Sequence, residues 1–267
     1  HEDMSRWAAE KAGFNSSMSN RIGSYADEPD DPENMSYDPS ISGDDPDVPD
    51  TITIPYTNIV IHMEEIIESN YNHYYNPSVF LGNPLIYPII QYILTNYPPS
   101  SAQEFGGAPA QISKYLQRAA ITSSSSAQRA VNLSYASHFV CDLSMPFHTN
   151  EAALQAVINQ TTPYSTTYFI PEPHFLYEND YVGQNWTGGL KFGSVAENTN
   201  YAYGTSNPVA QSRALAAYSH SYALTITYYI SINDFNNKTL ESVTDRCLFE
   251  GQAALNGLMV YGKNNSI

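Results

Sequence analysis

Apolar residues recur at helical intervals through most of the chain. Between Glu2 and Tyr25, the spacing of Met4, Trp7, Ala8, Phe14, Met18 and Ile22 predicts one amphipathic helix. That pattern stops where acid and proline take over. Residues 27–50, DEPDDPENMSYDPSISGDDPDVPD, keep no helical period and predict an acidic, Pro-rich loop. TITIPYTNIVIHMEEIIES, which follows, predicts a short strand running into a helix, and Leu81, Leu85, Ile89, Ile90 and Ile93 predict a helix over 78–96 whose ends Pro84 and Pro88 blur. Beyond the PPS at 98–100, helices are expected over 101–120 and 124–144. A long loop insertion rich in Tyr, Thr, Asn and Gly is expected over 149–206, and two helical patterns close the chain at 209–232 and 239–261. With no internal repeat and no linker between independent cores, residues 1–267 read as a single all-α domain carrying long loops.

Charge narrows the partners. Eleven Lys plus Arg against 27 Asp plus Glu give a formal charge of −16, which disfavours nonspecific attraction to nucleic acid or to anionic lipid surfaces. No stretch approaches the run of about 20 apolar residues that crosses a bilayer. No positively charged leader precedes an apolar segment either, so any export signal there was is expected to have been removed. Acceptor sequons begin at Asn15, Asn34, Asn132, Asn159, Asn185, Asn237 and Asn264 in a Lys-poor, Tyr-rich chain, and point to a secreted or cell-surface glycoprotein. The two cysteines, Cys141 and Cys247, suit either one disulfide in an oxidising compartment or two buried thiols, and their context fits no zinc site.

The chemistry gathers in SHFVCDLSMPFH, where His138, Asp142 and His148 follow the pattern His-x3-Asp-x5-His. Residues four apart share a helix face, so His138 and Asp142 can grip one metal ion while Pro146 turns the chain to bring His148 near. PHFLYE holds a second pair of the same kind, His174 and Glu178. One such pair is commonly a surface salt bridge. Two pairs with a histidine between them, in a chain of seven histidines, point instead to a metal site, because imidazole nitrogen and carboxylate oxygen are natural zinc ligands. His62 and His220 match no ligand position and are assigned to structure.

The SHFVCDLSMPFH segment resembles the central motif of the zinc-dependent phospholipases C and their relatives, the zinc-dependent single-strand nucleases. HYYNP at 73–77 resembles that superfamily's His-aromatic-aromatic-Asp-Pro segment, with Asn76 in place of the Asp, and SYADEPDD resembles the segment that carries its early Asp, aligned on Asp27. His1 stands where the superfamily has a Thr-His at the start of its first helix. More loosely, RCLFEGQAALNGLMVYG resembles its last helix. The resemblance implies two or three zinc ions: one on His73, His138, Asp142 and Asp27, and a second on His148, His174 and Glu178. A third would be shared by Asp142 and His1, where the superfamily adds an N-terminal Trp that does not precede His1 here. It also implies that Asp27 orients the attacking water as general base.

Three departures bear on specificity. The Asp27–His73 and His148–His174 intervals are longer than usual, and Cys141 stands where Gly is common. A Cys141–Cys247 bridge would tie the metal-binding helix to the last one. His-x3-Glu at 174–178 and the HYYNP segment favour the phospholipase C branch, so the resemblance implies hydrolysis of a phosphodiester, a phospholipid head group before nucleic acid. Aromatic residues at 74, 75, 147, 164, 168 and 175 are candidates for stacking on a head group or base, though most are expected to pack. An extracellular structural protein that self-assembles and reuses the metal-bound fold is the competing expectation.

Overall fold

The structure is a computed structural model that describes residues 1–30, 51–53, 60–62, 73, 75, 106–121, 124–149 and 173–265. Its helices are α1 (Glu2–Lys11), α2 (Ser16–Ser24), α3 (Ala108–Ala119), α4 (Ser126–Ser144), α5 (Pro173–Phe175), α6 (Phe192–Asn198), α7 (Pro208–His220), α8 (Ala223–Ser231) and α9 (Lys238–Asn265). Short 3₁₀ turns cover Glu28–Asp30 and Pro146–Thr149, and a π-helix, Leu176–Gly183, continues α5. Strands β1 (Thr51–Thr53) and β2 (Val60–His62) pair antiparallel, Ile52 opposite Ile61. The expected all-α domain is thus the architecture, with one small hairpin added. Most of the acidic stretch, the helix expected over 78–96 and residues 150–172 lie outside the described residues.

Helix α4 is the hub. Ser125 opens it with a capping box: its hydroxyl accepts from the Gln128 backbone N–H at 3.2 Å, and the Gln128 side chain returns the bond to the Ser125 N–H at 3.1 Å. From Ala130 onward nearly every residue is buried, polar ones included, because α1, α2, α3, α7 and α9 all pack on it. Burial on all sides is why the helix carries no polar face and why its serines must find internal partners. Ser137 Oγ meets Ser5 Oγ of α1 at 2.7 Å, and Ser134 donates to the Ile22 carbonyl of α2. Met145 is extended, as a residue before proline must be, and Pro146 begins the turn that presents His148.

The last helix, α9, runs 28 residues, about 42 Å at 1.5 Å per residue. It closes the bundle against α1, α4, α6 and α7. Its glycine at 257 sits where any Cβ would overlap the Tyr203 carbonyl, so helix and loop touch backbone to backbone. A buried amide pair ties α9 to its neighbours: Gln252 donates to the Met4 carbonyl of α1 at 3.0 Å, and Asn256 donates to the Thr199 and Tyr201 carbonyls of the loop at 3.0 and 2.8 Å.

Four sequence expectations need correction. The single helix expected over Glu2–Tyr25 is two helices. Gly13 takes φ +79° between them, Asn15 caps α2 by accepting from Met18 N–H at 2.9 Å, and Lys263 binds the Ala12 and Gly13 carbonyls that end α1. The expected 209–232 helix breaks after His220, where Ser221 and Tyr222 bond three residues back instead of four. There Ser219 is anchored to the Leu143 carbonyl at 2.7 Å and His220 to the Thr149 carbonyl. The expected long loop contains helix at 173–183 and 192–198, each set by an apolar pair four apart: Tyr177 with Tyr181, and Phe192 with Ala196, all fully buried. Finally, Cys141 and Cys247 are buried free thiols, not a disulfide. Cys141 lies beside Ser5, His1 and Asp142, whereas Cys247 neighbours Glu250 and Tyr177, and burial pushes each thiol up to about 12.

Candidate metal centre

Two adjoining groups of ring nitrogens and carboxylates converge beside α4. In the first, His138 and Asp142 project one turn apart from the buried end of the helix, Nε2 to Oδ2 at 3.2 Å. His73 joins them, its Nδ1 2.8 Å from Asp142 Oδ2 and 2.9 Å from His138 Nε2. All three side chains are buried. His1, the residue that caps α1, reaches the other oxygen of the same carboxylate, Nε2 to Asp142 Oδ1 at 3.1 Å. Asp142 therefore divides its two oxygens between His73 with His138 on one side and His1 on the other.

In the second group, Glu178 Oε1 lies 3.1 Å from His148 Nε2 and 2.9 Å from His174 Nε2, and the two imidazole nitrogens stand 3.1 Å apart. The α-turn running into a π-helix puts His174 and Glu178 on one side, a widening of the kind often found at functional sites. Phe147, buried, stacks on the His174 ring at 5.7 Å and fixes its plane.

Backbone carbonyls set the tautomers. His138 Nδ1 donates to the Ala26 carbonyl at 2.7 Å, and His148 Nδ1 donates to the His73 carbonyl at 3.2 Å. With Nδ1 carrying the proton, each neutral ring turns an Nε2 lone pair toward its group, where carboxylate oxygens also point. Lone pairs and anions facing one another at about 3 Å repel unless a cation or extra protons stand between them. A tetrahedral zinc, with ligands about 2.0–2.1 Å away, holds those ligands about 3.3 Å apart, close to the spacing here. The carbonyls that accept from Nδ1 are the outer partners that metal-bound histidines characteristically have. These buried His/Asp groups can hold a metal ion.

Without metal, the same geometry redistributes protons. Burial works against the charged form of His1, yet hydrogen bonds to Asp142, Asp27 and Asp30 raise its pKa well above the ordinary histidine value. Burial also opposes charging of His73, and the Asp142 charge raises it. His138 goes the other way, lowered by burial. Asp142 is held well below the carboxylate range despite its burial, by the charges of His138, His148 and His73 and its bond to His1. Glu178, half-buried, is likewise depressed, by His174 and His148.

The structure brings together all of the residues expected as ligands except one. Asp27 does not reach the His73–His138 pair; its Oδ1 lies 3.2 Å from His1 Nδ1. The carboxylate of that turn which approaches the pair is Asp30, its Oδ1 3.4 Å from His138 Nε2 and 3.7 Å from His73 Nδ1. Partial desolvation opposes its ionisation, and the bond to His1 and the His138 charge still lower its pKa. DEPDD offers four acids in five residues, and no spacing rule in the sequence chooses among them. The choice belongs to the 3₁₀ turn at Glu28–Asp30, which buries Pro29 and docks Glu28 against the Tyr135 hydroxyl.

His220 binds the Thr149 carbonyl. Of the expected cleft aromatics, Tyr75 and Phe147 are buried packing and Phe175, beside His174, is 56% exposed; Tyr74, Tyr164 and Tyr168 lie outside the described residues. Among the sequon asparagines, Asn15 and Asn264 are exposed, whereas Asn132, Asn185 and Asn237 are half-buried and donate their amide hydrogens to Gln128, Tyr181 and Asp234. Asn34 and Asn159 are outside the described residues. No helix among the described residues is long and apolar enough to cross a membrane. Comparison with protein-family models, with curated proteins and with solved structures found no match.

Proposed function

We propose that this chain is a secreted zinc-dependent phosphodiesterase of the phospholipase C type, hydrolysing a choline-like phospholipid head group through a metal-activated water. The observation that carries this reading is the role of His73. Its ring faces Asp142 and His138, while its own carbonyl accepts from His148 Nδ1 and the Tyr75 N–H donates to the His148 carbonyl at 3.0 Å. The two groups are thereby held as neighbours by one side-chain and one main-chain bond, an arrangement suited to gripping one phosphate from two sides. Zinc bound there supplies an activated water and offsets the charge that builds on the phosphoryl oxygens.

The chain's own residues prepare that chemistry. Carbonyls at Ala26 and His73 hold the Nε2 lone pairs of His138 and His148 inward, and Asp142 and Glu178 stay ionised over the whole physiological range. Phe175 offers exposed apolar surface next to His174 for the part of the substrate beyond the phosphate. The formal charge of −16 favours a zwitterionic head group over a polyanion.

The test is hydrolysis of p-nitrophenyl phosphorylcholine and of single-stranded DNA by purified protein of measured zinc content, before chelation, after it and after zinc is restored. Chelator-sensitive turnover that favours the choline ester supports the proposal. Preference for DNA makes the protein a nuclease of the same superfamily. Bound zinc with turnover on neither substrate removes the enzyme reading and favours a structural protein, which a polymeric native size would then support.

A further inference from the structure

Asp27 and Asp30 are three residues apart in one turn; both approach His1, but of the two Asp30 alone also approaches the His73–His138 pair. Asp30 Oδ1 is directed at His138 and His73, while its Oδ2 lies 3.5 Å from His1 Nδ1. Asp27 meets His1 at Nδ1, on the far side of the ring from the Nε2 that faces Asp142. The turn is fixed to α4 at two points: His138 Nδ1 binds the Ala26 carbonyl at 2.7 Å, and Tyr135 binds Glu28. The Asp30 N–H also closes on the Asp27 carbonyl at 3.1 Å. The placement of the two acids therefore follows from the turn itself.

From this geometry we infer that Asp30 is the metal-ligating carboxylate of the His73–His138 group, and that Asp27 is a positioning residue which holds the His1 ring so that Nε2 points toward Asp142. A histidine that ligates through one nitrogen usually donates the other N–H to a carboxylate, which fixes its tautomer and raises its basicity. Asp27 supplies that partner. Side chains then orient the His1 ring toward Asp142. The general-base role that the resemblance assigns to Asp27 does not suit a carboxylate engaged with His1.

The inference rests on the metal reading above, and metal binding rather than activity tests it. Zinc stoichiometry and affinity are measured by elemental analysis and chelator competition, with cobalt absorption as a second signature, for wild type and for Asp27→Ala, Asp27→Asn, Asp30→Ala and Asp30→Asn. Circular dichroism checks that each variant is folded; both acids are about half exposed, so the fold should tolerate the changes. Losing an outer partner typically weakens metal binding 10–100-fold. Asp27→Ala is expected to keep every zinc equivalent and weaken one by that factor, and Asp27→Asn, which keeps an acceptor oxygen, to restore most of it. Both Asp30 variants are expected to lose one equivalent and change the cobalt spectrum. An equivalent lost in both Asp27 variants, an Asp27→Ala variant with unchanged affinity, or full retention in the Asp30 variants overturns the inference and leaves the metal centre standing. A wild-type chain that binds no zinc overturns both.

Discussion

Replacing Glu178 with Gln isolates the second group from the first. Glu178 is the only anion among His148, His174 and Glu178, so Glu178→Gln leaves two neutral imidazoles and an amide to face a cation. A ligand present at about 1,000 times its dissociation constant stabilises the native state by about 4 kcal/mol per site. For a chain of this size, about 1 kcal/mol moves Tm by roughly 2–4 °C, so the lost increment is about 10 °C. In chelator the same substitution should do little. The glutamate side chain is 30% exposed, its pairing with histidine is partly screened, and Gln keeps an acceptor oxygen, so the cost is about 1 kcal/mol or less. Scanning calorimetry of both proteins in excess zinc and in chelator reads the two effects apart. The wild-type rise on adding zinc should shrink by about 10 °C in the variant while the chelated midpoints nearly coincide. An undiminished zinc-dependent rise in Glu178→Gln would refute the assignment of this group, and a large fall confined to the chelated protein would make Glu178 a structural charge.

Acid should destabilise the chelated protein through Asp142, Glu178 and Asp30. Their folded pKa values are depressed, so their contribution is complete above the unfolded carboxylate pKa of about 4 and is lost as pH falls through the folded values, which a pH series of denaturant midpoints will show. His1 and His73 are raised, so their contribution is present below about pH 6.5 and fades as pH climbs through the folded values. Gly257→Ala forces a methyl into the Tyr203 backbone, which cannot rotate away. It should cost about 3 kcal/mol, read as a fall in Tm of roughly 6–12 °C, and a shift under 2 °C would mean the helix and loop are not in backbone contact. Cys141 and Cys247 should ignore a thiol reagent in the native protein and titrate as two thiols on unfolding without reductant; no thiol after unfolding would restore the disulfide.

Much of the candidate centre was legible because several of the residues that form it come from local patterns. His138 with Asp142 and His174 with Glu178 are each four residues apart, and helical periodicity alone puts such pairs on one face. The Ser125–Gln128 box and Pro146 fix the ends of α4 from nearest neighbours, and the all-helical pattern followed from the spacing of apolar residues. Distance along the chain hid the rest. Whether Asp27 or Asp30 turns inward depends on Pro29, Glu28 and Tyr135 docking a 3₁₀ turn on a helix more than a hundred residues away, which no window of sequence contains. The breaks at Gly13 and His220 likewise answer to Lys263 and to the Thr149 and Leu143 carbonyls. The two cysteines show the limit most simply: a sequence supplies two sulfurs, but only packing decides that one faces Ser5 and the other Glu250 and Tyr177. Periodicity acts over one or two turns and is written in the chain itself. The partner across the bundle is chosen by the packing of every helix at once, so only the tertiary structure holds it.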